Sequence, residues 1–294
     1  MTTTAVPPSS SLLATLGSVP ATELAGSRLT LHWASQPVAS FGFSVLPARD
    51  DYSHTALHWV AAHGTLATDK EPETGIYAAL DVTGFALGLW RDDDRLAHFP
   101  LRGRTLDEAF GWLETAIQEA GIELSGSVVR PGHLGDVPAH PVADGASFEE
   151  PAVAHGKELA AWLELADATL QWFRGTHPEA GAILLWPHHF DMASLHVLEG
   201  EGESMRSVGA GVSLGDGSYA QPYVYVNPWP APQGAELPEL PAGGQWHTEG
   251  WTGAVLRGDR LLEIDGGEAR AEGLLRFIST AHAAGVELSN QGKG

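Results

Sequence analysis

Two short runs hold the residues best suited to chemistry. They are Leu185-Trp186-Pro187-His188-His189-Phe190-Asp191-Met192 and Gln245-Trp246-His247-Thr248-Glu249-Gly250-Trp251. Each sets an imidazole and a carboxylate two residues apart, His189 with Asp191 and His247 with Glu249. On an extended strand, residues i and i+2 share a face, so each pair would present both groups together. If the runs neighbour one another, His189, Asp191, His247 and Glu249 make a mixed nitrogen–oxygen ligand set. Such a set suits zinc, manganese or iron, whereas calcium prefers oxygen alone. A coordination position left open would hold a water made acidic by the metal. A carboxylate beside an imidazole also raises its pKa toward neutrality, which makes His188 and Glu249 the expected proton carriers. The plainer alternative for each pair is a histidine satisfied by its neighbour.

Aromatic residues surround these runs. Tyr223 and Tyr225 share a strand face after Gly215-Asp216-Gly217, a turn signal. With Trp186, Trp229, Trp246 and Trp251 they would wall a pocket for a small molecule, since Tyr and Trp combine apolar area with a polar handle. The alternative is that they pack beneath the following loop, Pro228–Gly244. That loop is longer than most connections and is placed to cover a site. A third cluster, His54, His58 and His63, lies in a segment that reads as a strand start and lacks the glutamate of a zinc-protease helix.

Other chemistries are excluded. The chain has no cysteine, so thiolate zinc, iron–sulfur clusters and a cysteine nucleophile fall away. It has no P-loop and no Gly-x-Ser-x-Gly elbow. Val208–Gly215 has its glycines misplaced for a dinucleotide loop and runs into a turn rather than a helix. Sixteen basic residues against 37 acidic give a net charge of −21. A field of that sign opposes nucleic acid and anionic membrane, so neither is an expected partner. No stretch approaches a membrane span, and the opening residues lack a basic leader, which favours a cytoplasmic protein.

The elements that must position these groups are legible from caps and periodicity. Thr105-Leu106-Asp107-Glu108 is a capping box, followed by Leu106, Phe110, Leu113 and Ile117 on one face and Gly121 as a stop. Ser147 to Glu150 repeats the box before a stripe of Leu159, Trp162, Leu163, Ala166, Leu170 and Phe173 that ends at Gly175. A last helix is expected from Asp265 to Gly285. A shorter one over Leu29–Val45 should break or kink at Pro37. Strands are expected near Thr55–Val60, Thr65–Thr68, Gly75–Val82, Phe85–Trp90 and Leu96–Leu101. Four more follow near Ala182–Trp186, Phe190–Leu198, Ser207–Ser213 and Tyr223–Asn227. Short turns such as Arg91-Asp92-Asp93-Asp94 imply antiparallel pairing.

A weak internal repeat orders these elements. Thr30-Leu31-His32-Trp33 echoes Thr169-Leu170-Gln171-Trp172, and Ala120–Ser125 echoes Ala284–Ser289. The expectation is an α+β fold of two related helix–antiparallel-strands–helix halves joined into one sheet assembly, with helices on one face. Residues 1–27 would be a flexible tail, 28–125 the first half, 126–146 a linker, and 147–294 the second half with the Pro/Gly-rich loop 228–244.

At Leu31-His32-Trp33-Ala34-Ser35-Gln36, and again at Trp186 through Phe190-Asp191-Met192-Ala193, the chain resembles an uncharacterised bacterial family catalogued as a domain of unknown function. It departs from that pattern in Met192, where the family has Leu, and in an extra His189. The resemblance implies an α+β bacterial protein and supplies no catalytic residue. The residues themselves point first to a metal-dependent, hydrolase-like enzyme acting on a small polar substrate in a cleft. A noncatalytic small-molecule-binding module with an aromatic pocket, or a self-assembling protein, stays open beside it.

Overall fold

The structure, a computed structural model, describes residues 5–130, 137–232 and 234–291. Residues 131–136 of the expected linker and residue 233 of the expected loop lie outside the described residues, as do 1–4 and 292–294. The chain forms two compact units, each with helices and an antiparallel sheet. The fold is therefore α+β, but with two sheets where one joined sheet was expected.

The first unit comprises Leu24–Ala160, as far as described, and Leu184–Phe190. Its sheet is a meander of β1 (His58–Val60), β2 (Thr65–Ala67), β3 (Ile76–Asp81), β4 (Ala86–Arg91) and β5 (Asp94–Pro100) in sequence order. Asp92 and Asp93 close the β4–β5 hairpin, with Asp92 at φ 53°, a conformation that Asp tolerates. Two helices, α2 (Ala25–Val45) and α3 (Leu106–Glu119), pack on this sheet. The capping box at Thr105 forms as expected, with Glu108 returning to the Thr105 N–H. Phe110, Leu113 and Ile117 are buried, each contributing about 1.5–3 kcal/mol. Pro37 does not break α2, which runs unbroken through it. Residues Thr30 to Gly42 are buried throughout, and that burial outweighs the one backbone hydrogen bond proline forgoes. β6 (Leu184–Trp186) also belongs here, with Leu185 exchanging both backbone hydrogen bonds with Leu57.

The second unit comprises the described parts of Met1–Glu23, Ala161–Ile183 and Asp191–Gly294. The segment expected to be a flexible tail is packed instead. It forms α1 (Ser10–Thr15), buries Leu13, Leu16 and Val19, and receives Arg270 on the Leu13 and Leu16 carbonyls. The expected box at Ser147 opens no helix, because Pro151 follows it. The long helix α4 (Val153–Thr176) starts later, its residues from Ala161 lying in this unit. The unit's sheet runs β10 (Gln245–His247), β11 (Gly253–Arg257), β9 (Tyr223–Trp229), β8 (Arg206–Ser213), β7 (Asp191–Glu199). β11 and the short α5 (Gly258–Leu262) were not expected, because five-residue segments carry too little periodicity, and the extended run at His247 ends there as β10. The final helix α6 (Gly267–Gln291) continues past Gly285. A Cβ on Gly285 would lie 3.2 Å from Val208, so glycine serves close helix–sheet packing there rather than helix termination. Among the described residues, no helix is long and apolar enough to cross a membrane.

Candidate functional site

Sheet alternation divides the second unit's chemistry between two faces. On β7, Met192, Ser194 and His196 point to the side packed by α6, while Asp191, Ala193, Leu195 and Val197 point to the other. The register carries this division across the sheet. Gly209 and Asn227 stand in line with Leu195, and Tyr225 and Val255 in line with Gly211 and Ala193.

Neither His-x-acid pair lies on a strand as expected. Residues 187–190 form a turn closed by Phe190 N–H to the Trp186 carbonyl, with Phe190 at φ 56°, and Asp191 only then opens β7. His247 ends β10, and Glu249 lies beyond it. The same-face premise thus fails for both. Asp191, His247 and Glu249, all in the second unit, form no metal-holding group with one another. Asp191 accepts the Tyr225 hydroxyl. His247 has both ring nitrogens engaged. Nε2 lies 2.7 Å from the Glu249 carbonyl, which only accepts, so Nε2 carries the proton and Nδ1 accepts the Tyr219 hydroxyl at 3.0 Å. Glu249 therefore acts through its backbone, and its side chain is exposed.

The other predicted residues fall as follows. Trp186, His188 and His189 belong to the first unit, with Trp186 edge-on to His188 and the two imidazoles 4.2 Å apart. Burial, then His189, lowers the His188 pKa rather than raising it. In the same unit, His32 and Gln36 of α2 both donate to the Pro187 carbonyl, at 2.7 and 2.9 Å. Trp229 is exposed, and Trp246 donates to the Pro238 carbonyl. His54, His58 and His63 bond to Arg49 N–H, Asp69 and Asp93 respectively.

Tyr223, Tyr225 and Trp251 do come together, with two residues added. Tyr219, Tyr223, Tyr225, Trp251 and His247 form a closed circuit, consecutive ring centroids 5.1, 6.0, 6.2, 4.4 and 5.5 Å apart. Tyr223 donates to Asp216 at 2.6 Å. Burial first, then Asp216, holds the Tyr223 hydroxyl well above its ordinary pKa. Burial and Asp191 do the same to Tyr225, so both tyrosines remain neutral donors.

On the helix-covered face, three histidines meet that no local motif announces. His177 follows α4, His196 sits on β7 and His282 on α6. One ligand nitrogen from each lies within 4.8 Å of the other two. His196 Nδ1 and His282 Nε2 are 2.9 Å apart, and this is the only ring hydrogen bond of the three among the described residues. Burial, then His177 and His196, pulls the His282 pKa down to about 4. Burial and His196 lower His177 as well, against the opposing charge of Glu179. Both shifts favour the uncharged imidazole at His177 and His282. The residues are 19 and 86 positions apart. The signals open to the eye were the inward alternation of His196 with Met192 and Ser194, and of His282 with Ile278 and Ala281.

Comparison of the chain with known protein families, with curated proteins and with solved structures gave no match.

Proposed function

We propose that this protein is a metal-dependent, hydrolase-like enzyme whose divalent ion is held by His177, His196 and His282. The observation that carries the reading is the approach of three imidazole nitrogens from three separate elements to within 4.8 Å. Three neutral nitrogen donors suit zinc, and secondarily iron or manganese, over calcium. Nitrogens on one tetrahedral zinc lie roughly 3.3 Å apart, so the widest separation, within 4.8 Å, would close by at most about 1.5 Å. A three-histidine set leaves a coordination position for water, and a zinc-bound water becomes a hydroxide source near neutral pH. The metal is thereby reassigned from the His189, Asp191, His247 and Glu249 set, while the small polar substrate expected from the sequence is retained. A long helix, antiparallel strands and a further helix follow one another in both blocks, and that order supports descent from one duplicated ancestor, although the first sheet is a meander and the second is not.

The test is zinc titration of the chelator-treated protein by calorimetry, with cobalt spectroscopy for coordination geometry. One-to-one binding and a tetrahedral cobalt spectrum are expected. Absence of stoichiometric binding removes the proposal, and binding without metal-dependent hydrolysis of a panel of esters and amides removes its enzymatic half.

A further inference from the structure

We propose that the aromatic circuit on the opposite sheet face is a binding site for an organic cation of the quaternary-ammonium class. It is independent of the metal reading, because it shares no residue with the histidine triad. Five rings with neighbouring centroids 4.4–6.2 Å apart form a closed collar. Were the five centroids to lie in one plane, their common centre would be roughly 5 Å from each, inside the about 6 Å reach of a cation–π contact. Val255 lies in register with Tyr225, on the same face and fully buried, and sets an apolar side chain beside that ring.

Charge and hydrogen bonding narrow the ligand. Asp191 and Asp216 stand behind Tyr225 and Tyr223 and accept their hydroxyls, so negative charge lies at the collar while the rings stay neutral. Arg257, which is in register with Tyr223, is paired with Asp259. The Tyr219 hydroxyl is committed to His247, and both His247 ring nitrogens are engaged by Tyr219 and the Glu249 carbonyl. A primary ammonium or guanidinium would bring several N–H groups, each needing an acceptor, to a lining made mostly of ring faces, and would lose water without full replacement. A tetraalkylammonium has no N–H to satisfy. It gains ring faces and nearby carboxylates at a small desolvation cost.

The experiment uses the full chain in chelator, titrated by calorimetry and tryptophan fluorescence with choline chloride at constant ionic strength. 3,3-Dimethyl-1-butanol, its uncharged carbon isostere, is titrated in parallel. Saturable choline binding is expected, with the isostere at least about tenfold weaker, Trp251→Ala weaker by about the same factor, and Trp251→Phe close to the parent. Tyr219→Ala gives a second loss should Trp251→Ala fail to fold. No saturable choline binding, equal binding of the isostere, or parent-like binding by a folded Trp251→Ala or Tyr219→Ala overturns the proposal. Zinc plays no part in these titrations, so their outcome leaves the metal reading untouched.

Discussion

His196 and His247 stand on one antiparallel sheet, on opposite faces, and differ in what their nitrogens touch. His247 donates to a carbonyl and accepts from a phenol, so its ring is a structural strut between Glu249 and Tyr219. His196 meets two more imidazoles and bonds only to one of them among the described residues. An imidazole whose nitrogens are both engaged by the protein cannot also ligate a metal without breaking those bonds. One whose ring neighbours are other imidazoles can turn its nitrogens to a shared metal without giving up a bond to the backbone or to a phenol. Coordination capacity thus follows from what the neighbours leave over, not from the presence of an adjacent carboxylate.

Substitution of single histidines is the strongest way to break that distinction. His177→Ala or His282→Ala should weaken zinc binding at least about 1,000-fold, or roughly 4 kcal/mol, since losing even an outer-shell partner costs 10–100-fold. His247→Ala should leave zinc affinity unchanged. Equal losses in calorimetric titration would erase the difference between the faces.

His32 extends the comparison into the first unit. Its Nε2 donates to Pro187, and its buried Nδ1 has no partner among the described residues. Burial drops its pKa from 6.5 to about 4 despite that hydrogen bond. The unfolded chain takes up a proton below about pH 6.5 that the folded chain refuses until about pH 4. Stability is therefore intact above pH 6.5 and falls by roughly 3 kcal/mol as pH drops to 4. Urea unfolding across that range should show the slope, and His32→Gln should flatten it. An unchanged slope would mean that the ring charges freely in the fold.

Two glycines sharpen the contrast between the faces. A Cβ on Gly211 would sit 2.4 Å from the Tyr225 ring, so Gly211→Ala must displace that ring and disturb its bond to Asp191. A loss of about 1–3 kcal/mol is expected in denaturant unfolding. Gly285→Ala on the helix-covered side meets Val208 at 3.2 Å, and the gain in helix propensity offsets the crowding. Its net effect should stay within about 1 kcal/mol. If Gly285→Ala proved the costlier of the two, the collar would be the looser face.

Where local rules act alone, the chain was readable. The Thr105 box, the stripe from Leu159 to Phe173, and the Asp92–Asp93 hairpin all formed, because caps, periodicity and turn chemistry operate over a few residues. Where burial overrides propensity, it was not. Pro37 sits inside a continuous helix, Gly285 does not end one, and the Ser/Thr/Pro-rich opening is docked by Arg270. The aromatic residues of β9 were legible as a wall because alternation puts Tyr223 and Tyr225 on one side. Tyr219 and the engagement of His247 were not, since both depend on a loop meeting a strand 28 residues later.

The sequence by itself determined the residue types on offer: many imidazoles, no thiols, strong acidity, and aromatic residues gathered around Tyr223 to Trp251. It also determined most helices and strands, whose hydrogen bonds are local. Only the tertiary structure decided which imidazoles are spent and which converge. His177, His196 and His282 come from a helix end, a strand and a second helix, and only the tertiary approach of these three elements, with α6 packed on β8 and β9, brings their nitrogens together. Packing acts between residues far apart in the chain, and no spacing rule along the chain encodes it.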